Sequence, residues 1–226
     1  LYNTESLRTQ QKNAAVSDDG RYEGRKASAT MKSLAGAYEA IAAWGVVPEV
    51  CEMDAYDWSD PQGKTIVLTN LVALPSGAWE RLDDFVRKGG RMIATGLTGF
   101  YDQNMHCILM DDFPLRRCFG AQISEYKAVA PYFTIACDTP ATTLPAHLWK
   151  GILRPDRAQA IAMHGDDVVG TRHRYGKGEA VWLPSLIELG GWHGDNKGVA
   201  DFYGTYCRGQ ILSLIHISEP TRRSYI

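Results

Sequence analysis

Between residues 78 and 88, apolar side chains recur at Trp79, Leu82, Phe85 and Val86, the three- and four-residue steps that line one helix face. The positions between them, Glu80, Arg81, Asp83, Asp84, Arg87 and Lys88, are all charged. Ser76 is placed to cap the start of this helix, and Gly89-Gly90 supplies a permissive backbone to end it. Met92, Ile93 and Ala94 then form a short apolar run, which reads as a strand buried on both faces. A second stripe, Met31, Leu34, Ala35, Tyr38, Ile41 and Ala42, predicts an earlier helix, closed by Gly45 with Pro48 just beyond. Residues 65–68 (TIVL) predict a strand, and residues 50–53 another. Leu1-Tyr2-Asn3 reads as the end of a strand already under way, and the polar tract to Gly24 as a long excursion after it.

Beyond Gly96 the regularity fades. A short helix is expected within residues 109–119, followed by strand-like pieces over 123–136 that Pro131 interrupts. Two strands, 158–163 and 168–173, flank the turn His164-Gly165-Asp166-Asp167. Tyr175-Gly176-Lys177-Gly178 is a second turn leading into a strand at 179–183, and residues 199–206 predict a last helix. Strand, helix, strand in repeated alternation builds an open, mostly parallel α/β sheet with right-handed crossovers and helices on both faces, a flavodoxin-like arrangement.

The segment LPSGAWERLDDFVRKGGRMIATGLTGFYDQN (residues 74–104) resembles the matching part of the middle, trimerisation domain of family 42 beta-galactosidases, which has a class I glutamine amidotransferase-like fold. The later order of a Trp segment, an acidic turn, an Arg-rich strand and YGKGEAVWLPS is similar to the closing part of the same domain. Together these pieces cover about two thirds of the chain. The resemblance implies a noncatalytic oligomerisation domain of a glycoside hydrolase that cleaves terminal beta-galactosides. The parent would be a homotrimer, with the galactoside bound by a catalytic barrel that this chain lacks. Without that barrel, the domain is expected to self-associate weakly or not at all.

The relatives of that fold carry a nucleophile on a sharp strand-to-helix turn. The comparable turn here is Thr95-Gly96-Leu97-Thr98-Gly99, and Leu97 at its centre has no nucleophilic atom. It reads as a degenerate nucleophile turn. Glycoside hydrolysis requires two carboxylates flanking the scissile bond. The Asn-Glu pair of the resembled family's acid/base residue occurs nowhere in this chain, so no catalytic residue is assigned. The acidic pairs Asp83-Asp84, Asp111-Asp112 and Asp166-Asp167 read as solvated charge.

Net charge and cysteine usage narrow the remaining classes. Lys plus Arg number 24 against 26 Asp plus Glu, a formal charge of -2, which gives no electrostatic case for nucleic acid. No apolar run approaches the ~20 residues that span a bilayer, so no membrane partner is expected. The five cysteines, Cys51, Cys107, Cys118, Cys137 and Cys207, contain no CxxC pair and read as reduced thiols in a cytoplasmic protein. His164, Asp166 and His173, or His193 with Asp195, lack metal-site spacing, and neither a metal nor another cofactor is expected.

Among the aromatics, Trp44, Trp79 and Trp182 fall at core spacing. Trp58 and Trp192 sit in loop-like sequence, where a tryptophan stacks on sugars, anchors a subunit interface or plugs the base of a loop. Two other functions stay open at this level. One is an amidotransferase-like small-molecule hydrolase using Thr98 or a histidine, and the other is a carbohydrate-binding domain using Trp58 and Trp192. Residues 212–222, LSLIHISEPTR, resemble a translated sequencing adapter. The domain is therefore expected to occupy residues 1–211, cut at both ends, with 212–226 foreign to it.

Overall fold

A computed structural model describes residues 1–108, 113–194 and 196–207. Helices α1 (Thr4–Ser17) and α2 (Ala29–Ala42) precede β1 (Thr65–Thr69), α3 (Ala78–Arg87) and β2 (Arg91–Thr95). A short α4 (Arg116–Phe119) leads into β3 (Ala121–Asp138), β4 (Ala141–Pro155), β5 (Gln159–His164), β6 (Asp167–Tyr175) and β7 (Gly178–Leu183). The chain continues through β8 (Ser185–Leu186), α5 (Ile187–Trp192) and α6 (Lys197–Cys207).

One sheet joins all the strands in the order β1-β2-β7-β6-β5-β3-β4-β8. The α/β class holds. Among the named strands, parallel pairing is confined to β1, β2 and β7, and from β7 onward the ladder is antiparallel. Alternation along the parallel strands divides the core between two layers. Met92, Ala94, Ala180 and Trp182 face the α3 side with Leu82, Phe85 and Val86, whereas Ile93, Val181 and Leu183 face α2 and α6 with Ile41, Phe202 and Tyr203. Helices therefore cover both faces. Gly90 ends α3 against Phe85, whose ring would lie 2.2 Å from an added Cβ, so a side chain there would push the helix off the sheet.

Several local expectations change. The tract expected as a polar excursion is mostly α1. Asn3 caps it by accepting a 2.6 Å bond from the Ser6 amide, and its buried positions, Ser6, Thr9 and Gln10, are polar. No apolar stripe announces such a helix. In α2 the buried face is Ala29, Thr30, Ser33, Gly36, Ala37, Ala40 and Ile41, while Met31 and Tyr38 from the expected stripe are exposed. Small residues win this face because α5 packs close: a Cβ on Gly36 would meet the Glu188 Cβ at 3.1 Å. Gly77, not Ser76, is the N-cap of α3, and the Ser76 amide instead donates to Gln103 Oε1.

Residues 50–53 form only a parallel bridge, Tyr2 with Glu52, in place of the expected strand. The expected helix within 109–119 is reduced to α4, with residues 109–112 outside the described part. Asp195 and residues 208–226, including the adapter-like segment, also lie outside it. Pro131 interrupts β3 as a register shift between Ala128 and Tyr132 rather than as a break.

Candidate functional site

The Thr95–Gly99 turn lies where β2 ends, between the carboxyl ends of β1 and β7, the place where an open parallel sheet gathers ligands. Its backbone is left-handed at Gly96, with φ +63°, and an added Cβ there would lie 2.9 Å from both Asn70 and Leu186. Asn70 is itself left-handed, at φ 50°, which lets its Oδ1 accept the Leu97 amide at 3.1 Å. Leu97 packs against the small cluster Ala29, Leu186 and Leu189 with Trp149.

Both hydroxyls of the turn are engaged internally. Thr98 Oγ1 donates toward Thr95 O at 2.7 Å, with Leu68 O at 3.2 Å also within reach, and it accepts the Leu71 amide at 3.1 Å. Thr95 Oγ1 donates to Glu188 Oε1 at 2.7 Å, and the Tyr203 hydroxyl donates to the same oxygen. All four residues are buried. Burial pushes the Glu188 carboxyl up to about 7 against the opposing pull of the two hydroxyls, and its Oε2 has no protein partner. Burial beside this carboxyl also raises the Tyr203 phenol far above its usual range.

Glu188 and Tyr203 escape motif reading. The only trace of Glu188 in the sequence is a lone acidic residue inside the apolar run Leu186-Ile187-Glu188-Leu189. The cluster can store a proton and tie α5 and α6 to β2. None of its atoms is presented to solvent for attack on a substrate.

The histidines named from sequence do not converge. His164 Nδ1 sits 3.2 Å from Lys150 Nζ, which also pairs with Asp167 at 2.7 Å, while His173 Nδ1 donates to Cys118 O. Among the described residues no group of three or more His, Cys, Asp or Glu side chains is arranged to hold a metal. His147 was not singled out by the sequence. Its Nδ1 donates to Pro131 O at 2.6 Å, leaving a buried Nε2 without a partner, and burial lowers its pKa.

The two loop tryptophans differ. Trp58 is partly buried, donates from Nε1 to Met53 O at 3.3 Å and meets Tyr56 and Phe85 edge-on. It plugs the base of its loop. Trp192, at the end of α5, is 47% exposed, and Tyr132, 46% exposed, lies 5.4 Å from the His193 ring at a tilt of 53°. Trp182 is fully buried, while Trp44 and Trp79 are half-buried. All five cysteines are free, and Cys118, Cys137 and Cys207 are buried. Among the described residues no helix is long and apolar enough to cross a membrane.

Comparison with known proteins adds identity to this geometry. Residues 1–210 match the family described as the beta-galactosidase trimerisation domain. The chain is 28% identical over 143 residues to beta-galactosidase BgaA of Clostridium cellulovorans, covering 59% of this chain and 22% of that protein. Among solved structures, the beta-galactosidase of Rahnella sp. R3 superposes with a TM-score of 0.67 at 25% identity, covering 80% of this chain and 27% of that one. The exo-beta-1,4-mannosidase Op5Man5 of an Opitutaceae bacterium shares the fold at a TM-score of 0.57 and 19% identity, over 84% and 33%. The chain thus spans roughly a quarter of the length of the curated relatives it matches, 22% of one and 27% of another.

Proposed function

The chain belongs to the beta-galactosidase trimerisation domain family, and from that premise we propose that it is the noncatalytic assembly domain of a larger glycoside hydrolase acting on terminal beta-galactosides. The observation that carries this reading is the family match across residues 1–210. The closed turn supports it, because Thr95, Thr98, Glu188 and Tyr203 are buried in bonds to one another and to the backbone. In this reading catalysis and galactoside binding belong to another part of the parent protein, and this domain holds three copies together. Residues 1–211 are the domain, and the free thiols suit a cytoplasmic setting.

Exposed aromatic side chains anchor subunit interfaces. Trp192 and Tyr132 are therefore the residues we assign to subunit contact. Two measurements test the proposal. The purified chain is expected to leave a chromogenic galactoside unhydrolysed above the buffer rate, and measurable turnover would overturn the noncatalytic assignment. In sedimentation equilibrium, weak reversible association toward three copies is expected, reduced by Trp192→Asp. A discrete dimer would overturn the assembly reading.

A further inference from the structure

At the amino ends of β1, β2 and β7, the opposite end of these strands from the Thr95–Gly99 turn, a cleft gathers positive charge. Lys64, Arg91, Arg172, Arg174 and Lys177 line it, against a single acid, Glu179. Strand register explains the gathering. Arg91 of β2 and Arg174 of β6 both stand opposite Glu179 of β7, so the three residues share one level and one face. Arg172, two residues along β6, lies on that face too.

Glu179 is buried, at 7% exposure, and holds two of these arginines. Arg91 Nε donates to its Oε1 at 3.0 Å, and Arg172 Nε to its Oε2 at 2.5 Å. Arg91 is fixed further by a 2.5 Å bond from its Nη1 to Tyr206 O in the last turn of α6. One carboxylate thus orients two guanidinium forks and neutralises the charge of only one. The two arginine side chains remain 33% and 32% exposed, with N–H groups left for another acceptor. Arg174 and Lys177 are exposed and enter no ion pair among the described residues. The cleft is therefore strongly positive within a chain whose formal charge is -2.

Its frame is rigid. The Gly63 amide donates to Gly89 O at 3.4 Å, the Lys177 amide to Arg87 O at 3.0 Å and the Glu179 amide to Gly90 O at 3.2 Å, which laces three turns together. A Cβ on Gly178 would lie 2.1 Å from Gly90 O, so no slack remains between the start of β7 and the end of α3. The space these turns border is about 430 Å³, the size of a small-ligand site.

We propose that this cleft binds a compact phosphoryl anion, with Arg91 and Arg172 as the oriented donors and Lys64, Arg174 and Lys177 as the surrounding charge. The planar guanidinium fork matches phosphate oxygens in pairs, which makes arginine the residue suited to this chemistry. Five cations against one carboxylate call for a ligand of at least two negative charges, such as pyrophosphate or a phosphorylated sugar. An acidic peptide needs an extended basic track, whereas these cations converge on one cavity. The site shares no residue with the surface assigned to subunit contact. Ligand binding reads neither association nor hydrolysis, so the proposal stands or falls separately from the proposed function.

Isothermal titration calorimetry of the full chain with sodium pyrophosphate, in about 0.1 M salt, is the test. One-to-one binding with a Kd below about 1 mM is expected. The double variant Arg174→Gln, Lys177→Gln should weaken it about tenfold, and because both side chains are exposed the fold survives their exchange. Arg8→Gln, exposed on α1, which is fastened at Ala73 beyond the other end of β1, should leave binding unchanged. Pyrophosphate ahead of a hexose monophosphate marks a free polyphosphate as the ligand, and the reverse order a phosphorylated sugar; either order supports a phosphoryl site. Absence of both binding heat and any rise in thermal midpoint at about 10 mM pyrophosphate overturns the proposal. So does binding that the double variant leaves unchanged, an equal loss in Arg8→Gln, or a glutamate-rich peptide that binds more tightly than pyrophosphate.

Discussion

The carboxyl end of β2 and the outer edge of β1 lie one strand apart and have opposite characters. At the Thr95–Gly99 turn, the Thr95 and Thr98 hydroxyls and the Leu97 backbone amide find partners within the protein, and Gly96 lies tight against Asn70 and Leu186. At the β1 edge, backbone groups face an open trough and bulky apolar side chains remain exposed. The contrast teaches that the turn ending β2 is closed by bonds within the protein, while a groove stays open along the outer edge of β1. Closure at the turn is polar; the trough is lined by apolar side chains of α2 together with Glu49, Asp57 and Lys64.

Substitutions can test how firm the closed region is. Gly96→Val adds atoms where even a Cβ meets Asn70 and Leu186 at 2.9 Å, in a left-handed backbone that valine resists. A loss of about 4 kcal/mol in urea unfolding is expected from the combined strain and overpacking, and a loss under about 1 kcal/mol would show the turn to be looser than described.

Glu188→Gln gives the next largest effect and carries a sign. The folded carboxyl, pushed up to about 7 from 4.5, holds its proton more tightly than the unfolded one. The stability associated with its neutral form is complete below pH 4.5 and is lost as pH rises through about 7. Glutamine retains an acceptor for Thr95 and Tyr203 but does not ionise. Relative to the native chain, the variant should therefore gain on the order of 3 kcal/mol between pH 4.5 and pH 8. Parallel unfolding curves at the two pH values would refute the shift.

Thr98→Val removes the acceptor of the buried Leu71 amide and the donor to the Thr95 carbonyl. A cost of about 2 kcal/mol is expected, readable as an earlier thermal midpoint. Tyr38→Ser, in the trough, should change stability by no more than about 0.5 kcal/mol, as surface changes commonly do. A larger loss by the same measurement would mean that the trough is already part of the packed core.

What the sequence discloses follows the same division. The α3–β2 unit is legible because its apolar and charged positions separate cleanly, and Leu82, Phe85 and Val86 are buried as their spacing requires. In α2 the spacing finds the helix but selects the wrong face. Size, not hydropathy, decides that face, where Ser33, Gly36 and Ala37 allow close packing while Met31 and Tyr38 face outward. The turn itself is legible as Thr95-Gly96-Leu97-Thr98-Gly99. Its partners Glu188 and Tyr203 arrive from 93 and 108 residues away, counting from Thr95, and no local pattern marks them. The split of the sheet into parallel and antiparallel parts is equally hidden, since pairing direction depends on which distant strand lies alongside.

The attachment of α1 has a thermal consequence. Ser6 Oγ both donates to Ala73 O at 2.6 Å and accepts the Ala73 amide at 3.1 Å, and Asn3 Nδ2 donates to the same carbonyl at 3.2 Å. This helix is fastened by hydrogen bonds and buries Ser6, Thr9 and Gln10 in place of an oily stripe. Exposing polar surface lowers heat capacity, whereas exposing apolar surface raises it. Release of α1 therefore adds little to the heat-capacity change of unfolding, and its hold does not fade on cooling as apolar packing does. In the cold, the layers on either side of the sheet loosen before this polar latch opens.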